Sequence, residues 1–264
     1  MPIPKIIHYC WFGGNPLPEL TVKCIDSWTK YCPEYEIKRW DESNFDINLN
    51  DYVKEAYEAK KWAFVSDVAR LYAITTYGGI YMDTDVEVLK SLDSILEYDA
   101  VTGFESDEMI TTGLMACIKN HPMFLEFLQE YSDKHFVNSD GSFDLTTNVT
   151  RITNTCFKYG FVPNNTFQTI NNLTLLPKDY LCPKDYKTKK INITENSLTI
   201  HHFDGSWLSD EQIYERDKCT ALCKIMPLRA AQRTAKVLTT CKFEGIRGVF
   251  NLVNRKFFHK KAKN

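Results

Sequence analysis

Residues 62–89, WAFVSDVARLYAITTYGGIYMDTDVEVL, restrict the fold more than any other stretch. Phe64, Val68, Leu71, Tyr72 and Thr75 recur at helical spacing, and Gly78-Gly79 closes that helix. IYMDTDVEVL (80–89) follows as a strand, and it carries two carboxylates, Asp83 and Asp85, separated by one residue. A helix turning through two glycines into a buried strand is the joint of an α/β sheet covered by helices. Ligands in such sheets sit beyond the carboxyl ends of the strands, which is where the two aspartates fall.

The remainder of the N-terminal half repeats the pattern. IPKIIHYCWF reads as a first buried strand ended by Gly13-Gly14, LTVKCIDSWTKYC as a helix stopped by Pro33, and YEIKRW as an alternating second strand. DESNFDINLNDYVKEAYEAK reads as loop then helix, and TTGLMACIKNHPMFLEFLQEY (111–131) as a strand or loop running into a helix after Pro122. Strand, helix, strand, helix, helix, strand specifies an open, mainly parallel sheet. At 264 residues and 44% hydrophobic content the chain can bury a substantial core.

The longest apolar runs fall short of the ~20 residues a membrane helix needs. The N-terminus has neither the charged start nor the small-residue cleavage site of an export signal, so the expected location is cytoplasmic. The nine cysteines are scattered and odd in number, which favours reduced thiols over a disulfide framework. Cys219 and Cys223 have no second pair at zinc-ligand spacing, and the sequons at Asn148, Asn164, Asn172 and Asn192 are chance matches on that view.

The formal charge of −2 conceals an asymmetry. Residues from Lys224 onward hold eleven of the 32 Lys/Arg but one of the 34 acids, Glu244. Ile246, Val249, Phe250, Val253 and Phe257 recur there at three- and four-residue spacing among basic residues, the pattern of a basic amphipathic helix. The expected division is therefore a catalytic-sized domain over 1–223 and a helical basic extension over 224–264. That extension suits either an anionic membrane surface or packing on the body; no nucleic-acid module accompanies it.

If Asp83 and Asp85 shared one strand they would face the same side about 7 Å apart. Buried without partners they would repel and take up protons, and a hard divalent cation resolves the conflict. The plain alternative is a strand-end pair capping nearby backbone.

Three ordered blocks, IPKIIHYCWFGG, AFVSDVARLYAITTYGGIYMDTDVEV and IHHFDGSW, resemble the glycosyltransferase family 32 sugar transferases, and more distantly the glucosylating domains of large clostridial toxins. The resemblance spans residues 2 to 207. It implies a GT-A fold that binds a nucleotide-diphosphate sugar, a UDP-sugar being favoured, through Mn²⁺ or Mg²⁺. By the same resemblance Asp83 and Asp85 meet metal, ribose and diphosphate, and Trp11 stacks on the base. Asp67 and Arg70, one helical turn apart, contact the sugar. Tyr81, two residues before Asp83 and facing the same side, is a candidate either to line the donor pocket or to pack in the core. The family spacing of five residues before a tryptophan selects His202 over His201 as the late metal ligand, with Ser206 and Trp207 against the diphosphate.

The resemblance further implies retention at the anomeric carbon and a bacterial capsule, lipopolysaccharide or exopolysaccharide repeat unit on a lipid as acceptor. Thr111, Thr112 and Gly113 are candidates on the acceptor side, and DLTTNVTRIT (144–153) lacks the Gly-Pro turn common at that place. Two other classes compete. YMDTDVEV also fits the opening motif of haloacid-dehalogenase-like phosphohydrolases, whose first aspartate is a nucleophile, although that motif usually opens the chain. A protein that binds sugar nucleotides without catalysis is the other.

Overall fold

The computed structural model describes residues 2–205 and 210–261, with side chains up to Gly248. In chain order its elements are β1 (Ile6–Cys10), α1 (Glu19–Tyr31), β2 (Glu36–Trp40), α2 (Asp51–Glu58), α3 (Trp62–Tyr77), β3 (Gly79–Met82), β4 (Val86–Val88), β5 (Ala100–Gly103), β6 (Leu114–Cys117) and α4 (Pro122–Gln129). They continue with α5 (Asn148–Lys158), β7 (Gln168–Ile170), β8 (Leu173–Leu176), α6 (Lys178–Leu181), β9 (Thr199–His201), α7 (Asp210–Leu222) and α8 (Leu228–Lys261). Among the described residues no helix is long and apolar enough to cross a membrane.

Seven strands form one sheet in the order β2-β1-β3-β6-β5-β8-β7. β2, β1, β3, β5 and β8 run the same way, while β6 and β7 are reversed. The expected open, mainly parallel sheet is thus present. Period-two alternation splits its side chains between two apolar layers. Tyr81, Met115 and Cys117 join the layer formed with α2, α3, α4 and α5; Ile80, Met82, Leu114 and Ala116 join the layer containing Trp28 of α1.

The reading of 80–89 as one strand is corrected. β3 stops at Met82, a turn closed by the Val86 N–H to Asp83 carbonyl bond carries Asp83-Thr84-Asp85, and Val86–Val88 leaves the main sheet to pair antiparallel with β9. Trp28 Nε1 donates to the Val86 carbonyl at 2.7 Å and the Ser27 hydroxyl accepts from the Val88 N–H at 2.9 Å, so α1 supplies partners that main-sheet pairing would have given. Gly78 and Gly79 lie at φ +71° and +108°, and a Cβ on Gly79 would stand 2.7 Å from the Ile6 carbonyl oxygen. Only glycine permits this sharp entry from α3 into β3.

The chain forms two compact units, residues 1–184 with 191–203, and residues 185–190 with 204–264. The second contains α7 packed along α8, with Lys236 Nζ 3.2 Å from a Glu215 carboxylate oxygen and Tyr214 edge-on to Phe243. α8 is interrupted at Gly245 (φ 70°, ψ −169°), so 246–261 is a separate helical segment. Ile246 at its start is 83% exposed; the side chains of Val249, Phe250, Val253 and Phe257 lie outside the described ones.

Candidate active site

Because β1, β3 and β5 point the same way, the residues just beyond their carboxyl ends share one edge of the sheet: Trp11 after β1, Asp83 after β3 and Glu105 after β5. α3 begins near that edge and runs away from it to the start of β3, so Asp67 and Arg70 in its first half, both buried, lie at the same end.

Arg70 is the hub. Its Nη2 is 3.1 Å from Asp67 Oδ1 and its Nη1 3.1 Å from Asp83 Oδ1, and Nη1 also donates to the Thr112 carbonyl at 3.1 Å. Nε donates to the Ser66 carbonyl at 3.2 Å, and the guanidinium lies 4.7 Å over the Tyr81 ring. Burial works against its charge, but Asp83, Tyr81 and Asp67 outweigh that and raise its pKa. Asp67 is pushed up to about 6 by burial, with Arg70 opposing. This is more than an isolated i,i+3 ion pair, because one guanidinium ties α3 to the aspartate turn and to the 111–113 loop.

Asp83 is anchored through Oδ1, which accepts from Tyr81 Oη at 2.8 Å as well as meeting Arg70, and its N–H donates to the Gly113 carbonyl at 2.8 Å. Its Oδ2 points to His201 Nε2 at 3.9 Å, and Asp85 Oδ1 lies 3.2 Å from the same nitrogen. Asp83, Asp85 and His201 offer three ligand atoms within 4.8 Å of one another. One nitrogen and two carboxylate oxygens suit Mn²⁺ or Mg²⁺. Burial lowers the His201 pKa, yet Asp85 and its other neighbours outweigh burial and raise it well above the ordinary value.

The structure therefore brings His201, rather than the expected His202, to the aspartates. β4 pairs with β9 in a register that sets Val86 opposite His201, placing that ring beside the turn. His202 faces away, its Nε2 2.8 Å from a Glu87 carboxylate oxygen that Lys23 also engages. The signal that could have identified His201 was the alternation of strand side chains; the tryptophan spacing does not carry it. The His201 ring is packed tightly, 4.1 Å between centroids from Phe203 on one side, while a Cβ on Gly113 would stand 2.7 Å from its Nδ1.

Trp11 is half-buried with its indole N–H donated to the Asn15 carbonyl at 2.7 Å. Gly13, at φ +86°, donates its N–H to Glu42 at 2.7 Å and lies against Trp62, leaving no space for a Cβ. Thr111, Thr112 and Gly113 serve as backbone support for Arg70, Asp83 and His201. Ser206 and Trp207 lie outside the described residues. Tyr81 directs its hydroxyl to Asp83, which gives it a part in holding that carboxylate. The phosphohydrolase reading needs Asp83 as a free nucleophile, whereas its Oδ1 is held by Tyr81 and Arg70.

Residues 18–102 match the model of a family described as glycosyltransferase sugar-binding region containing DXD motif. Over these residues the chain is similar to the DXD glycosyltransferases. It is 34% identical over 131 residues to inositol phosphoceramide mannosyltransferase 3 of Schizosaccharomyces pombe, covering 48% of this chain and 36% of that protein. To the uncharacterized glycosyltransferase L373 of Acanthamoeba polyphaga mimivirus it is 27% identical over 222 residues, 78% of this chain and 84% of that one. Among solved structures it is similar to a glycosyltransferase involved in glycosylation of the major capsid of PBCV-1, at 16% identity and a TM-score of 0.43, covering 83% of this chain and 100% of that chain. The chain spans about a third of the length of the curated mannosyltransferases it matches. Its own sheet is open and mainly parallel with flanking helices, as the sequence led us to expect.

Proposed function

We propose that this chain transfers a hexosyl group from a nucleotide-diphosphate sugar to a glycan acceptor, with retention at the anomeric carbon. The observation that carries the reading is the convergence of Asp83, Asp85 and His201 beside the Arg70–Asp67 pair at one edge of the sheet. Asp83, Asp85 and His201 would hold Mn²⁺ or Mg²⁺. Such an ion neutralises charge developing on a leaving diphosphate. Arg70 fixes Asp83 and, with Asp67, borders the space for the sugar. The exposed part of the Trp11 ring offers a platform for the base. In transfer, the acceptor oxygen bonds to C1 on the face from which the diphosphate oxygen departs, the hydroxyl proton passes to that leaving oxygen, and preorganised charge around the leaving group lowers the barrier.

UDP is the favoured nucleotide on the family resemblance, and the relatives named as mannosyltransferases put mannose in the donor panel. The test is isothermal titration of UDP, GDP and their hexoses into the full chain with and without Mn²⁺. One nucleotide should bind in a metal-dependent way, and Asp85→Ala should weaken it by about tenfold or more while the thermal midpoint holds. Absence of binding to all of them would overturn the transferase reading. Binding without turnover of any sugar would point instead to a non-catalytic sugar-nucleotide protein.

We further propose a lipid-linked glycan acceptor, of the kind used for capsule, lipopolysaccharide or exopolysaccharide repeat units, reached at an anionic membrane face. Support comes from the excess of basic residues over 224–264 and from a relative named for an inositol phosphoceramide acceptor. The full chain should sediment with phosphatidylserine-containing vesicles at low salt and leave them at high salt. Equal sedimentation with purely phosphatidylcholine vesicles would refute the electrostatic contact.

A further inference from the structure

Glu105 is an acid of this edge that none of the roles above uses. Across the sheet, the carboxyl-end positions run from Trp11 on β1, through Asp83 on β3, past the reversed β6, to Glu105 on β5. Neighbouring strands are about 4.8 Å apart, so Glu105 stands about 10 Å along the edge from the β3 end, on the side opposite Trp11. A donor laid with its base at Trp11 and its diphosphate at the Asp83–Asp85–His201 cluster directs its sugar toward β5. Retention brings the attacking hydroxyl in on the face of the leaving diphosphate, and Glu105 borders the part of the edge where the sugar of such a donor lies.

The backbone that carries Glu105 is fixed to the same cluster. Its N–H donates to the Met109 carbonyl at 2.8 Å, and Phe104 and Ile110 bridge the two arms of this short hairpin. The returning arm is held by the Thr111 N–H to Gly103 carbonyl bond at 2.9 Å, and by Thr102 Oγ1, which donates to the Thr111 and Leu114 carbonyls at 2.9 and 2.8 Å. It then becomes the Thr112-Gly113 segment on which Arg70, Asp83 and His201 rest.

The carboxylate itself is partly buried and, among the described residues, makes no direct hydrogen bond or ion pair. It is not one of the three groups that converge as metal ligands. Burial raises its pKa, as do Asp83 and Asp85, while His201 and Lys178 oppose. A carboxylate kept partly dehydrated without a donor costs stability, and a site that retains one has a use for an acceptor of hydrogen bonds there.

We infer that Glu105 accepts a hydrogen bond from the attacking hydroxyl of the acceptor and so aims its oxygen at the donor C1. The assignment rests on the glycosyl-transfer reading. Water can occupy the same place, so hydrolysis of the donor reports on it without knowledge of the natural acceptor.

The test compares wild type with Glu105→Gln in the full chain, using whichever of UDP or GDP the wild type binds with Mn²⁺ and its hexose as donor. Glu105→Gln should bind the nucleotide within about threefold of wild type, with KM for the sugar nucleotide likewise held, while kcat for donor hydrolysis falls about 100-fold. Should Glu105→Gln fail to fold, Glu105→Asp, which keeps the charge but shortens its reach, carries the same comparison. Undiminished hydrolysis would overturn the assignment. So would a loss of nucleotide affinity equal to the loss of turnover, since Glu105 would then belong to the donor site. A wild type that binds no nucleotide, or binds one and turns over its sugar with neither water nor an alkyl hexoside, would instead overturn the transferase reading, and this assignment with it.

Discussion

Asp83 uses its two carboxylate oxygens for different purposes. Oδ1 is held by Tyr81 and Arg70, which fixes the rotamer, and Oδ2 is left facing His201 and Asp85. Preorganisation of this kind lets a cation bind without first ordering its ligands. The neighbouring histidines make the point testable. His201→Ala should weaken Mn²⁺ binding by about tenfold or more, whereas His202→Ala, which removes a partner of Glu87, should leave the Mn²⁺ affinity within about twofold; titration calorimetry reads both. The reverse order would restore His202 as the ligand. Asp83, Asp85, Asp67 and Arg70 are legible from their motif spacing alone. The choice between His201 and His202 is not, because it depends on how a three-residue strand is paired with another distant in sequence.

At the scale of elements, the Gly-Gly entry, the aspartate turn and the 111–113 loop act together. Strand β3 and helix α3 are readable because their hydrophobic periods are local. The break after Met82 is not, since Val86–Val88 is as apolar as a continuing strand would be; it leaves the main sheet only because α1 offers Trp28 and Ser27 as hydrogen-bond partners and β9 pairs with it. The short strands β5, β7 and β8 are likewise set by lateral pairing. Gly113 is where this assembly can be probed. Gly113→Ala places a methyl group 2.7 Å from His201 Nδ1, a ring already packed against Phe203, so the ring must move. The expected result is a drop in Mn²⁺ affinity of about tenfold or more with a destabilisation of about 1–3 kcal/mol, read by calorimetry and urea unfolding on the same samples. Unchanged metal affinity would show that the ring position is not set by this contact.

At the scale of the whole molecule, the sheet is held between its two apolar layers, and one titratable group buried within it sits away from the candidate site. His8 on β1 is fully buried, its Nε2 donating to the Gly78 carbonyl at 2.9 Å and its Nδ1 accepting from Trp40 Nε1 at 3.0 Å. The bond accepted at Nδ1 requires the neutral ring, and burial lowers its pKa to about 4. A folded-state pKa below the unfolded one gives stability that is present above pH about 6.5 and lost as pH falls toward 4, amounting to about 2 kcal/mol by pH 5. Urea unfolding at pH 7 and pH 5 should show that loss in wild type and a shallower dependence in His8→Gln; parallel slopes would assign the acid sensitivity to other groups. The sequence by itself determined the α/β alternation, the aspartate motif, the Asp67–Arg70 pair and the basic C-terminal charge, because periodicity, turn chemistry and charge are properties of neighbouring residues. The tertiary structure alone decided that His201 stands beside Asp83 and Asp85, that Arg70 joins α3 to the aspartate turn, and that Glu105 shares their edge. Those three facts arise from strand order and register, which bring together residues up to 134 positions apart in the chain.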